Sequence, residues 1–291
     1  MKILGLKPMK NNIFYLHIPK TAGSSLNRFI CSQFQKNSCL THIESKIDFS
    51  KEVDIKKAEQ YKVLSGHIPL PHMQNKLKVL DNRIVITTLR NPIEHVISHI
   101  AWVRKLGDKG EEGRLKQHNQ TVQKIVKKLL SLDLSKPMNI STLIQWLEDE
   151  NIFLFHDTQI KYIGGGGGVV KPHIVKNALI NLKKINFVGI TERLSEFQFL
   201  LCDALNWKIK EDINIKENKN DCYYGLNIQD SEIRKSLQPL IQWDQLIYRV
   251  ARERFIYDMH NFLFELEKSK GPRFSTVREQ MLINEYKVTE K

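Results

Sequence analysis

Ile13 to His17 is a short apolar run that passes without a polar spacer into Ile18-Pro19-Lys20-Thr21-Ala22-Gly23-Ser24-Ser25. The stretch from Ser24 to Phe34 is then amphipathic, with Leu26, Phe29, Ile30 and Phe34 at helical spacing. A strand that runs through a tight loop into a helix N-terminus directs unpaired backbone N–H groups and the positive end of the helix dipole at one point, where an anion can sit. Lys20 adds a cation, and Thr21, Ser24 and Ser25 add hydroxyl donors, which is more than an ordinary capped turn requires. Ala22 belongs to the same loop, and Gly23 is expected to let the backbone approach the anion closely.

The rest of the chain alternates strand and helix patterns. Strands are expected at Tyr61 to Ser65, at Arg83 to Leu89 with its β-branched run, and at Asn186 to Ile190. Asn91 and Pro92 are placed as N-cap and first residue of a helix carrying Val96, Ile97 and Ile100 on its apolar side. Helical patterns follow at Val122 to Leu132, Ser141 to Asp149 and Arg193 to Leu205, and a long one at Ser231 to Leu266 with a break near Pro239. This alternation predicts an α/β protein, a three-layer P-loop-type fold with a central parallel sheet flanked by helices. One domain is expected over 11–266, with a helical insertion at about 107–150 and a charged tail at 267–291. Lys208 to Asp221 reads as a loop and Gly164 to Gly168 as a flexible surface connector, with a flap over the site as the alternative.

In the ATP-type loop G-x-x-x-x-G-K-[ST], glycine stands where this chain has Ile18 and lysine where it has Ser24. With the lysine moved upstream to Lys20, the loop is poorly suited to wrapping a triphosphate and holding magnesium, so a P-loop kinase or nucleotide hydrolase is the alternative. A net charge of +13 favours anionic partners, although the lysines are scattered and form no block of five or six. Cys31, Cys39, Cys202 and Cys222 have neither metal-site nor disulfide-scaffold spacing. No run approaches the roughly 18 apolar residues of a membrane span, and Met1 to Asn12 lacks a signal-peptide pattern, so a cytoplasmic protein is expected, with peripheral membrane contact left open.

Together, His17-Ile18-Pro19-Lys20-Thr21-Ala22-Gly23-Ser24-Ser25-Leu26 after an apolar strand resembles the phosphosulfate loop of the carbohydrate sulfotransferase superfamily, the branch that includes heparan sulfate 2-O-sulfotransferase and bacterial proteins. Val85 to Ile100 resembles its 3′-phosphate segment, which implies that Arg90 and Ser98 bind the 3′-phosphate. Leu64-Ser65-Gly66-His67-Ile68 resembles its Gly-His segment, which implies His67 as catalytic base, with His17, His72 and His99 as alternatives or structural residues. Asp157 to Gly164, Phe187 to Leu194 and Trp243 to Tyr248 resemble later segments. The first has Lys161 where arginine is usual, and the last is taken as structural core.

The resemblance implies a donor, 3′-phosphoadenosine 5′-phosphosulfate (PAPS), bound by Lys20, Thr21, Ala22, Gly23, Ser24, Ser25, Arg90 and Ser98. Lys20 would also neutralise the leaving phosphate. The implied partners are this nucleotide and a saccharide acceptor, not nucleic acid, and no metal is required. A relative that binds anions or glycans without turnover is the nonenzymatic alternative.

Overall fold

The computed structural model describes residues 12–208 and 223–270. Five strands, β1 (Ile13–Leu16), β2 (Cys39–Thr41), β3 (Val63–Gly66), β4 (Ile84–Leu89) and β5 (Phe187–Ile190), form one sheet in the order β2-β3-β1-β4-β5. All four pairings are parallel, and the register sets Leu16 beside both Gly66 and Thr87. β1, β3, β4 and β5 are buried at every position, the mark of a sheet covered on both faces. This is the expected α/β architecture.

The helices are α1 (Gly23–Ser32), α2 (Glu52–Glu59), α3 (Leu70–Leu77), α4 (Val79–Asn82), α5 (Pro92–Lys105), α6 (Glu112–Lys116) and α7 (Gln120–Leu130). They continue as α8 (Pro137–Asp149), α9 (Thr158–Gly164), α10 (Pro172–Lys184), α11 (Leu194–Ala204), α12 (Ser231–Ser236) and α13 (Gln242–Lys270). Alternation along the strands sends Phe14 and Leu16 into a core shared with α3, α9 and α10, while Ile13 and Tyr15 enter a second core with α1 and α11. α13 serves both, contributing Ile247 and Ala251 to the first and Phe255, Met259 and Phe262 to the second. A third core joins α5 to α7, α8 and α12.

At the edge where the strands begin, two arginines gather backbone carbonyls. Arg83 donates to Tyr61 O (2.9 Å), Glu59 O (3.3 Å), Ile13 O and Lys62 O (both 3.4 Å). Arg254 donates to Leu182 O, Ile185 O (2.8 Å) and Asn186 O (3.1 Å). Acceptors that precede the strands are thereby satisfied without water.

Several boundaries differ from the sequence expectations. β2 was not anticipated, since three half-buried residues at a sheet edge carry no readable alternation. The expected break at Pro239 is a 3-10 turn, Gln238–Leu240, between α12 and α13. Asn186 is not in a strand; its Oδ1 accepts from Val85 N (2.8 Å) just before β5. α6 precedes the first helical pattern expected within the 107–150 stretch. α13 continues to Lys270, beyond the expected start of the tail. Residues 209–221 of the expected loop and 271–291 of the tail lie outside the described residues. Gly164, expected in a surface connector, is instead buried where α9 meets α10, and a Cβ there would lie 2.4 Å from Ile174 O.

Candidate active site

The residue immediately after each strand, His17, His42, His67, Arg90 and Thr191, faces one cavity of about 1570 Å³. Ligands of open parallel sheets gather at this carboxyl edge. Lys20, Ala22, Gly23, Ser24, Ser25 and Ser98 line the same cavity, so the structure brings together every sequence-predicted site residue except Thr21.

Thr21 is turned into the core. Its hydroxyl donates to Ile18 O (2.9 Å), and Thr88 Oγ1 donates to Thr21 O (2.9 Å) while sitting 3.1 Å from Tyr15 Oη. The hydroxyl expected to face an anion is therefore a strut of the loop. From the other side, His95 Nε2 donates to Pro19 O (2.8 Å). These ties hold Lys20 (φ 67°) and Ala22 (φ 60°) in the left-handed region, a conformation that persists only where surroundings enforce it. Ala22 O accepts from Ser25 N and Leu26 N (both 3.1 Å), and no side chain caps α1, so Gly23 and Ser24 present their N–H groups at the helix start. Gly23 also has a second, packing role, because a Cβ there would fall 1.6 Å from His17 Nε2.

Lys20 Nζ lies 6.0 Å from the Trp102 ring centroid. Burial, with Arg90 and Lys105 adding like charge, lowers its pKa to about 8, so the ammonium persists at neutral pH but is poorly compensated. Arg90, at the end of β4, has its Nη1 3.5 Å from Lys20 O and its Nη2 3.1 Å from Glu94 Oε2. Its backbone is gripped by Gln159, whose Oε1 accepts from Arg90 N (2.8 Å) and whose Nε2 donates to Arg90 O (2.9 Å). Asn91 caps α5 as expected, accepting from Ile93 N (3.1 Å) and Glu94 N (3.4 Å), and α5 carries Ser98 to the cavity wall.

His67 Nδ1 donates to His17 O (2.8 Å), which leaves Nε2 as the unprotonated nitrogen. Its backbone N–H donates to Glu44 Oε2 (3.0 Å). Gly66 makes room for that carboxylate, since a Cβ would sit 2.3 Å from Glu44 Oε2 and 2.6 Å from Ile43 Cγ1. Burial lowers the His67 pKa, against the opposing influence of Glu44 and the His17 carbonyl, so the ring is neutral at pH 7.

The other histidines separate by environment. His17, pushed down to about 2 mainly by burial, lies 4.1 Å from His67 between ring centroids and takes an Asn27 amide contact at 3.3 Å. His72 packs edge-on against Phe49 and is not part of the cavity lining, whereas buried His99 is. Lys161 also reaches the cavity wall, but its ammonium donates to Phe153 O (2.8 Å).

Among the described residues, His42, Glu44 and His67 form a group able to hold a metal ion, their ligand atoms lying within 4.8 Å of one another. Because His67 Nδ1 is engaged, such an ion would take Nε2, the nitrogen a base needs. Sequence reasoning missed His42, Glu44, Gln159 and Glu192; only the positions of Gln159 and Glu192 within family-like segments hinted at them.

A helix N-terminus, a half-buried lysine, an arginine and a neutral histidine stand together at the carboxyl edge of a parallel sheet in an α/β protein, an arrangement able to receive an anion beside a proton acceptor. The chain belongs to the sulfotransferase family, whose model matches residues 8–161, just over half of the chain. No individual curated protein matches the sequence. The matched segment contains Lys20, His67, Arg90 and Ser98 and ends within α9.

Proposed function

We propose that the protein transfers a sulfuryl group from PAPS to a hydroxyl of a carbohydrate or glycoconjugate. The observation that carries this reading is the convergence of Lys20, the α1 N-terminus, Arg90 and Ser98 on the cavity that His67 also faces. A lysine beside a helix N-terminus and an arginine beside a serine-bearing helix suit a donor with a 5′-phosphosulfate and a 3′-phosphate.

His67 Nε2 takes the proton of the acceptor hydroxyl, and its oxygen forms the new bond to sulfur. The bond from sulfur to the 5′-phosphate oxygen breaks, and adenosine 3′,5′-bisphosphate leaves with its negative charge facing Lys20 and the α1 N–H groups. Such transfer depends mainly on alignment and on donors aimed at developing charge. Trp102, Tyr162 and Tyr223 offer ring faces along the cavity for a saccharide, and His118, Thr121 and Val122 bring the proposed helical insertion to the same wall.

The reading includes one domain over 11–266 and a cytoplasmic location. Among the described residues, no helix is long and apolar enough to cross a membrane.

A thermal-shift and turnover experiment tests the reading. Adenosine 3′,5′-bisphosphate is expected to stabilise the chain with or without magnesium, and sulfate is expected to pass from PAPS to a saccharide. Stabilisation by ATP only with magnesium would favour a kinase or hydrolase. Tight nucleotide binding with no transfer to any of a panel of glycans would favour a non-catalytic relative.

A further inference from the structure

Arg90 and Asn91 are held by two side chains from elsewhere in the fold. Gln159, fully buried on α9, pairs both ends of its carboxamide with the Arg90 backbone at 2.8 and 2.9 Å. Glu192, just after β5, accepts the Asn91 N–H through Oε1 at 2.6 Å. Both intermediaries lead to α13. Asp244 accepts from Gln159 N (3.1 Å) and Ile160 N (2.8 Å), and Tyr248 Oη donates to Glu192 Oε2 (3.1 Å). Asp244 and Tyr248 stand four residues apart, on one face of α13.

The attachment is reciprocal. Asp157, which precedes α9, accepts from Trp243 N (2.7 Å) and Asp244 N (3.0 Å) at the start of α13. Each aspartate thus satisfies the first N–H groups of the other's helix, and the two helix starts are locked together. Burying carboxylates is an expensive way to stabilise a core, because desolvation offsets most of what their hydrogen bonds return. What the arrangement achieves is position. It fixes the backbone of Arg90, whose guanidinium otherwise meets Glu94 and Lys20 O.

We propose that the Asp244–Tyr248 face of α13, acting through Gln159 and Glu192, sets the reach of the Arg90 guanidinium and thereby recognition of the donor's 3′-phosphate. Gln159, Asp244 and Tyr248 do not line the cavity and are positioning residues. α13 lies beyond the segment matched by the family model, so this assigns donor selection partly to a part of the chain outside it. The inference rests on the donor reading above.

Calorimetric titration with adenosine 3′,5′-bisphosphate and with adenosine 5′-monophosphate, which lacks the 3′-phosphate, tests it. Tyr248→Phe removes one oxygen and keeps the ring. It is expected to weaken binding of the bisphosphate by roughly 3- to 10-fold, the scale of one ordinary hydrogen bond, and to leave the monophosphate unchanged. Gln159→Met is expected to act in the same direction and more strongly. In an Arg90→Ala chain neither substitution is expected to have a further effect, since the group they position is gone.

Equal weakening of both nucleotides, or a Tyr248→Phe effect that persists without Arg90, overturns the proposal. So does a wild-type preference for the bisphosphate that both variants retain in full, and in that case the donor reading stands. A wild-type chain that does not distinguish the two nucleotides overturns both.

Discussion

The imidazole of His17 occupies the space that a side chain on Gly23 would need, with Nε2 1.6 Å from the ideal Cβ position. The first residue of α1 is glycine because the ring of the residue just after β1 lies over it, and that ring in turn lies against His67. Donor loop and proposed base are thus mechanically linked.

Gly23→Ala is accordingly expected to displace His17, lowering stability by about 1–3 kcal/mol, as overpacking does, and turnover by at least about 10-fold. Denaturant melts and sulfate-transfer assays measure the two effects. His17→Ser in the same chain is expected to restore most of the stability. A Gly23→Ala protein with wild-type stability and rate would show that the His17 contact is not structural.

The proposed reaction should have a bell-shaped dependence of kcat/KM on pH. His67 is a base only when neutral, and burial lowers its pKa, so the acid limb is expected below the ordinary histidine value of 6.5. Lys20 loses its charge as pH rises through about 8, which places the alkaline limb there. Lys20→Arg keeps the charge and is expected to abolish the alkaline limb while slowing turnover. An alkaline limb unmoved in that variant would assign it to another group.

His95 predicts acid sensitivity of the fold. Its imidazole is wholly buried and its pKa is lowered from 6.5 to about 4, by burial above all. Below about 6.5 the unfolded chain binds a proton that the folded chain refuses, so stability falls as pH drops until about 4 is reached. Relative to His95→Gln, the wild type is expected to lose at most about 1.4 kcal/mol per pH unit across that window. Urea titrations at several pH values give the difference, and a difference independent of pH would contradict the assignment.

Thr88→Val keeps the shape of the side chain but removes the hydroxyl that serves Tyr15 and the Thr21 carbonyl. Two buried polar groups lose a partner, at about 1–3 kcal/mol for each one left unsatisfied. Affinity for adenosine 3′,5′-bisphosphate is expected to fall as the loop loosens. Thr21→Ser, which retains the hydroxyl donor to Ile18 O, is expected to bind nearly as the wild type does.

The placement of the loop and of the β4–α5 segment at the candidate site was legible because each is local. A strand, a loop and a helix start lie within about twenty residues, and Arg90, Asn91, Pro92 and Ser98 repeat that pattern. What connects these segments was not legible. Glu44 reaches His67 from beyond a three-residue edge strand, and Gln159 meets Arg90 across 69 residues and Asp244 across 85. No periodicity reports such pairings, because each depends on one side chain meeting one backbone group. The inward turn of the Thr21 hydroxyl and the His17 ring over Gly23 were not legible either, since a sequence shows that a residue is polar or small and not which neighbour it faces.

The arginine locks at the strand-starting edge give the molecule unequal tolerance to change in length. Arg83 and Arg254 each depend on several carbonyls standing in fixed register, so an inserted residue at Lys62 or Asn186 would break more than one bond at once. Lys109 and Gly110, in the turn after α5, are exposed and outside any such lock. A library that varies loop length therefore has more room at Lys109 and Gly110, just past the Asp108 carboxylate that Arg104 and Tyr224 hold, than beside the arginine locks.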